Sequence, residues 1–243
     1  MSNAGRRIAT ETGVMLADPE QVGNQLPTPL DAWFDPTFWA SRLQLTAVQS
    51  GRGSAWFVGP SANWVLRHYR RGGMMARVSR DHYWWTGEDA VRSFAEWRLL
   101  DNLASRGLPV PRPVAARYQR SGLLYRCDLI TQRLADTHSL SEALRMAAVS
   151  EEPWRRVGAA IAQLHRNGAD HADLNAHNIL LAADGVVSVI DFDRGRLRAP
   201  GSWQRRNLRR LHRSLIKVTE QMQPARFSAL QWSWLMAGYE AVS

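Results

Sequence analysis

The sequence predicts an α+β chain, with a small antiparallel sheet in its first half and a mostly helical second half. Three observations carry this. Short β-rich runs separated by glycine-containing turns cluster between residues 54 and 131. From Ser150 onward, apolar residues recur with helical spacing. Among those helices, the stretch DHADLNAHNILLAADGVVSVIDFDR, Asp170 to Arg194, sets two carboxylate clusters on either side of a hairpin pattern.

Taken in order, residues 1–30 show little periodicity and read as an extended or poorly ordered arm. The aromatics Trp33, Phe34, Phe38 and Trp39 follow around Pro36, and their spacing suits a short helix packed on the main body. The domain organisation expected is an arm with this helix at 1–42, a sheet-bearing unit at 43–134 and a helical unit at 135–243. Strands around 54–59 and 63–69 flank a Gly-Pro-Ser-Ala-Asn turn, with Gly51 and Gly53 just before the first. Residues 88–106 place Val91, Phe94, Ala95, Leu99, Leu100 and Leu103 on one helical face, and Gly107 stops it. Strands at 113–119 and 123–131 are joined by Arg120-Ser121-Gly122, and Thr131 to Leu134 read as a connection. Ser150 suits an N-cap, Glu151 and Glu152 suit the positive helix end, and Trp154, Val157, Ile161 and Leu164 form a face that Gly168 ends. Two more helices are expected at roughly 203–221 and 224–241, with Trp232, Trp234, Leu235 and Tyr239 inward.

Composition narrows the function classes. No apolar run is long enough to span a bilayer, and the first residues lack the apolar centre of a signal peptide. Cys127 is the only cysteine, so no internal disulfide forms, and a cytoplasmic setting is expected. The net charge of +9 rests on arginine, because Lys217 is the only lysine. Residues 67–80 carry five arginines and residues 196–217 carry seven, both stretches without an acid. Such density implies an anionic partner or a solvated arginine-rich face. No nucleic-acid recognition motif accompanies it.

The chemistry lies in the 170–194 stretch. Runs at 179–182 and 186–190, joined by Ala-Asp-Gly, form a hairpin whose outer ends meet, so Asp173, Asn178 and Asp191 converge. Oxygen ligands of this kind suit Mg²⁺ completed by phosphate oxygens, which suggests phosphoryl transfer from ATP. His171, Asp173 and Asn178 satisfy H-x-D-x-x-x-x-N, followed at the right interval by DFD. Glycine-containing hairpin, helix with Glu96, strands, helix, this loop, hairpin and DFD follow in the order of the protein-kinase-like two-lobed fold. Asp173 is then the expected base, and Asn178 and Asp191 the metal ligands. His171 is expected to brace the loop through backbone hydrogen bonds, and Asp193 to act as a turn carboxylate rather than a second-metal ligand. Gly51 and Gly53 stand where backbone amides approach phosphates, although Trp56 occupies the place of a third glycine. The strand lysine of protein kinases is missing. Arg67 in WVLRHY stands in its place with Glu96 as partner, or is a surface arginine on an edge strand. Thr131 and Gln132 are further nucleotide-side candidates.

No long activation segment separates DFDRG from the next helix, which points away from regulated protein kinases. The segments LRHYRRGG, RSFAEWRLL, VPRP, HADLNAHNILL and VIDFDRGR together resemble the lipopolysaccharide-kinase family, which includes kinases of 3-deoxy-D-manno-octulosonate (Kdo). The resemblance runs from about Gly51 to Leu211, and residues 1–50 carry little of it. It implies ATP-dependent phosphorylation of the 4-hydroxyl of a Kdo residue on a Kdo-lipid A precursor. It also implies peripheral association with the anionic cytoplasmic face of a bacterial inner membrane, and a catalytic role for the aspartate at 173. Arginine forks suit the sugar carboxylate and lipid phosphates, and Arg70, Arg71, Arg194, Arg196 and Arg198 are the candidates for these contacts. The arginine at 67 departs from the kinase pattern and puts the nucleotide clamp in question. Two other readings stand beside this one. One is a soluble small-molecule kinase of the aminoglycoside-phosphotransferase type, and the other a non-catalytic kinase-like module that binds anionic lipid.

Overall fold

The structure is a computed structural model that describes residues 5–22, 29–50, 53–70, 81–220, 222 and 226–242. The chain divides into two compact units, Met1–Asn102 with Arg112–Leu134, and Leu103–Pro111 with Ala135–Ser243. The first is strand-rich and the second mostly helical, the α+β, protein-kinase-like two-lobed architecture that the order of parts predicts.

The first unit runs β1 (Arg6–Ala9), β2 (Val14–Ala17), α1 (Pro19–Val22), a 3-10 turn (Leu30–Phe34), α2 (Pro36–Ala40), β3 (Leu45–Ser50), β4 (Gly53–Val58), β5 (Trp64–His68), β6 (Tyr83–Trp84), α3 (Arg92–Ser105), β7 (Pro113–Ser121) and β8 (Leu124–Gln132). The strands form one antiparallel sheet in the order β1-β2-β7-β8-β5-β4-β3, with β6 also on β8.

The first two strands correct the reading of residues 1–30 as an arm. Met15, Leu16 and Ala17 are buried, and β2 pairs with β7 in the register Val14↔Tyr118 to Ala17↔Ala115. Gly13 makes that approach possible, because a Cβ there would lie 1.9 Å from the Tyr118 carbonyl oxygen. A four-residue apolar run whose partner lies about a hundred positions downstream leaves no local periodic signal.

Strand alternation gives the sheet two faces. On one, Met15, Ala17, Leu66, Ala115 and Ile130 pack with Trp33, Phe34 and Trp39, and Trp39 Nε1 donates to the Trp33 carbonyl at 2.7 Å. The expected aromatic helix is therefore turned inward, its large rings in the core. Beyond this core the same face carries a charged chain. Arg117 binds Asp128 through Nε and Nη2 at 3.0 and 2.8 Å and donates Nη1 to the Asp31 carbonyl at 2.9 Å, which ties the aromatic segment to the sheet. The other face carries Arg67 and Tyr69 toward α3, where Phe94, Trp97 and Leu100 are buried.

The second unit contains β9 (Thr137–Ser139), α4 (Leu140–Met146), α5 (Glu151–Arg166), β10 (Ala169–Asp170), β11 (Ile179–Ala182), β12 (Val187–Val189), β13 (Arg196–Leu197), α6 (Ser202–Thr219) and α7 (Ala229–Glu240). Trp154, Val157, Ile161 and Leu164 form the buried face of α5. Ser150 occupies the N-cap position of α5, yet its side chain makes no capping bond. The third helical residue is Pro153, which has no N–H to offer such a cap. In its place Glu151–Arg155 and Glu152–Arg156 pairs, at 2.6 and 2.8 Å, lace the first turns.

Helices α5 and α7 approach through glycines. A Cβ on Gly158 would lie 1.9 Å from the Leu235 carbonyl oxygen, and one on Gly238 would lie 2.0 Å from that of Arg155. Backbone cannot give way as a flexible side chain can. Gly158→Ala is therefore expected to lower the thermal midpoint. Alanine gains about 1 kcal/mol of helix propensity, but forcing two packed helices apart costs more, typically about 1–3 kcal/mol for overpacking alone. A midpoint that stays level or rises in thermal unfolding would show that the helices separate freely.

Candidate active site

The loop from His171 to Asn178 is fixed by its own backbone. The buried His171 ring accepts the Asp173 N–H at Nδ1 (3.1 Å) and contacts the Ile190 carbonyl through Nε2 (2.9 Å). Those partners require a neutral ring with its proton on Nε2. Burial holds the His171 pKa below its ordinary value, partly opposed by the bond to Ile190 and by the charges of Asp191 and Asp173. Phe192 is buried with its ring 4.6 Å from that of His171. The Asp173 carbonyl accepts from Asn175 Nδ2 at 2.9 Å and Asn178 Nδ2 at 3.0 Å, while Asn175 Oδ1 accepts the His177 N–H at 2.8 Å. The Asp173 carboxylate carries none of these bonds and stays half-exposed.

The hairpin sets the second carboxylate beside this loop. Strands β11 and β12 pair Ile179↔Val189, Gly185 takes φ +86° in the turn, and the Asp184 side chain accepts the Val186 N–H. The Ile190 N–H donates to the Asn178 carbonyl at 3.0 Å, so Asp191 is the next residue out. Asp191 has φ +65° and Arg194 φ +60°, a backbone region that non-glycine residues enter at a cost of roughly 1–3 kcal/mol and that clusters at functional sites. The donor chemistry fits Mg²⁺. Asn178 spends its amide nitrogen on Asp173, which leaves Oδ1 as the ligand atom, and Asp191 adds a carboxylate. Among the described residues no group of three or more His, Cys, Asp or Glu is placed to hold a metal, so these two oxygens would share the ion with phosphate.

Helix α6 supports the loop from behind. Its buried Asn207 accepts the His171 N–H at 3.1 Å and donates to Asp170 Oδ1 at 3.0 Å, and Ser214 Oγ accepts the Ala176 N–H at 3.2 Å. Arg210 donates Nε to Asp173 Oδ1 at 2.6 Å and adds Nη2 to the same oxygen. Sequence reasoning missed both Asn207 and Arg210. Their signal was a polar residue on the apolar face between Trp203 and Leu211, with an arginine one turn on.

Next to this support His165 lies between Trp203 and Tyr239, with Nδ1 2.9 Å from the Tyr239 hydroxyl. Burial lowers its pKa to about 4. The unfolded chain therefore takes up a proton first. The stabilisation is complete above about pH 6.5 and is lost as pH falls toward 4, by about 3 kcal/mol. His165→Gln is expected to lose less stability than the parent between pH 7 and pH 4.5. Parallel losses in denaturant unfolding at the two pH values would remove His165 as the cause.

In the first unit Arg67, on β5, donates Nη2 to Glu96 Oε1, and the Tyr69 hydroxyl donates to Glu96 Oε2. The Glu96 side chain is 0% exposed and that of Arg67 24%. The structure thus brings these two site candidates together. Burial, with the adjacent Glu96 charge, holds the Tyr69 pKa well above its ordinary value, and Arg67 and Arg92 both lie 5.7 Å from its ring. Gly53 opens β4 opposite Ser50, and Gly51 lies outside the described residues. Thr131 and Gln132 belong to β8 rather than to a connection, paired with Val65 and Trp64. Pairing on both sides carries the strand further than its own pattern shows. Of the acceptor candidates, Arg70, Arg194 and Arg196 are exposed and Arg71 lies outside the described residues. Arg198 is engaged with Asp170 at 3.1 Å, as a brace beneath the loop.

Comparison with known proteins gives the family of the chain. Residues 36–239 match the model of the lipopolysaccharide kinase (Kdo/WaaP) family. The chain is 54% identical over 187 residues to a 3-deoxy-D-manno-octulosonic acid kinase of Xanthomonas campestris pv. campestris (strain B100), and equally to one of Xanthomonas axonopodis pv. citri (strain 306). It is 49% identical over the same length to one of Stenotrophomonas maltophilia (strain K279a). Each match covers 76% of this chain and 74% of the relative. With the family model spanning most of its length and relatives of this similarity, the chain belongs to the lipopolysaccharide kinase (Kdo/WaaP) family.

Proposed function

We propose that this chain transfers the γ-phosphoryl group of ATP to the 4-hydroxyl of a Kdo residue on a Kdo-lipid A precursor. The observation that carries the reading is the His171–Asn178 loop bonded to the hairpin that bears Asp191, in a chain whose relatives are named 3-deoxy-D-manno-octulosonic acid kinases. Asp173 orients the acceptor hydroxyl and takes its proton as the hydroxyl oxygen bonds to γ-phosphorus. The bond from γ-phosphorus to the bridging oxygen breaks, and ADP leaves with those electrons. A loose transition state asks for little early proton removal, so an ordinary carboxylate suffices. Asn178 Oδ1 and Asp191 would hold Mg²⁺, which when bound neutralises charge on the phosphates. Arg67, set by Glu96, is the proposed phosphate contact on the sheet unit. As an arginine it would bind by a two-point fork where a lysine offers one charge.

The acceptor is lipid-borne, and none of the described helices is long and apolar enough to cross a membrane. Peripheral attachment at the cytoplasmic face of the inner membrane is therefore the proposed setting. The outward face of α6 supports this, with Arg205, Arg206, Arg209, Arg213 and Lys217 exposed to meet anionic lipid. Transfer from radiolabelled ATP to a panel of Kdo-lipid A precursor, free Kdo and an aminoglycoside tests the reading. Label is expected on the Kdo lipid. Label on the aminoglycoside with none on the Kdo lipid would favour a soluble metabolite kinase.

A further inference from the structure

Arg210 poses a chemical problem. Both contacting nitrogens of its guanidinium sit on one oxygen of Asp173, the oxygen of the group proposed to accept a proton. A cation held there opposes proton uptake, and an ion pair whose members are 46% and 51% exposed gives the fold little in return. Yet the arginine is delivered with care. Asn207, one turn earlier, bonds both His171 and Asp170, and Ser214, one turn later, bonds Ala176, so α6 is pinned to the catalytic loop on either side of Arg210.

We propose that Arg210 reads the carboxylate of the acidic acceptor, an inference that rests on the Kdo-kinase reading and on Asp173 as the base. A guanidinium has five N–H donors in a planar fork, and the contacts to Asp173 leave others for a second anion. In Kdo the carboxyl group is borne on C2 and the reacting hydroxyl on C4, two carbons away on one ring. A receptor for that carboxylate must therefore stand beside the base that handles the hydroxyl, where Arg210 stands. When the sugar arrives, its carboxylate competes with Asp173 for the guanidinium and frees Asp173 Oδ1 for the 4-hydroxyl. A neutral sugar, or water, brings no such competitor and meets a base that is still engaged. The same pair that blunts the empty site thus selects for acidic acceptors.

The test compares Kdo-lipid A precursor with its C1 carboxamide, which keeps the shape and loses the charge, in the parent protein and in Arg210→Ala. The parent is expected to prefer the carboxylate by roughly ten- to a hundred-fold in kcat/KM, the scale of hydrogen bonds to a charged group. In R210A that preference is expected to collapse toward one, through a raised acceptor KM, with the KM for ATP and the thermal midpoint unchanged. A parent that uses both acceptors equally overturns the proposal without any variant, and so does an R210A protein that retains the preference. Absence of any transfer to Kdo lipid by the parent would instead overturn the functional reading itself, so the two failures are distinguishable.

Discussion

Asp173→Asn is expected to lower kcat by roughly a hundred- to ten-thousand-fold, the usual contribution of a positioned general base, while leaving the fold and the KM for ATP in place. The loop around it is held by backbone atoms: the Asp173 N–H on His171 and its carbonyl on Asn175 and Asn178. None of these bonds uses the carboxylate. Arg210, which contacts the carboxylate, is a half-exposed side chain that returns to solvent when the charge is gone. Loss of turnover with an unchanged thermal midpoint is thus the expected pair of results. Robust turnover in D173N would remove Asp173 as the base. By contrast, His171 variants should lose activity and loop order together, because that ring joins the loop to Ile190.

The second large effect is on stability. Arg67→Ala removes the cation from beside the fully buried Glu96 carboxylate, to which the neutral Tyr69 hydroxyl still donates. Removing one partner of a buried pair typically costs about 3–5 kcal/mol, because the other charge is stranded. The mechanism can be separated from simple loss of packing by the double substitution R67A/E96Q, which removes the stranded charge. It is expected to be more stable than R67A in denaturant unfolding, and R67K is expected to recover part of the loss. If the double variant is no better than R67A, the stranded charge is not the cause. If Arg67 also contacts ATP, only the variants that lack its cation should show a raised KM for ATP, whatever their stability.

Much of the site was legible because its signals are local. The runs at 179–182 and 187–189, the turn at Asp184-Gly185 and the buried face of α5 follow from short-range periodicity and turn chemistry. The Arg67–Glu96 contact was legible through the order of parts, since strand and helix were each recognisable alone. The strands β1 and β2 were not, because their burial depends on a partner near Tyr118 that no short window contains. Arg210 was hidden for a different reason. It is one of several arginines on α6, and choosing among them requires the phase of the helix, which buried Trp203, Asn207, Leu211 and Leu215 set. Ser150 shows the reverse case, a plausible local rule defeated by the proline three residues later.

The hairpin of β1 and β2 has a practical consequence for handling the protein. The family match begins at residue 36, and this hairpin lies wholly before it. Yet β2 occupies the side of β7 that β8 leaves open, and Arg7 clamps the hairpin by a two-point contact to Glu88 at 3.0 Å. An expression variant trimmed to the matched residues would bare the β7 edge that β2 covers from Ala115 to Tyr118, beside the buried Val114, Ala115 and Ala116. Such an edge is a template for pairing with another chain, and yield in soluble form should fall steeply once truncation passes Val14. The segment that carries least of the family signature is what keeps the sheet of the first unit from becoming sticky.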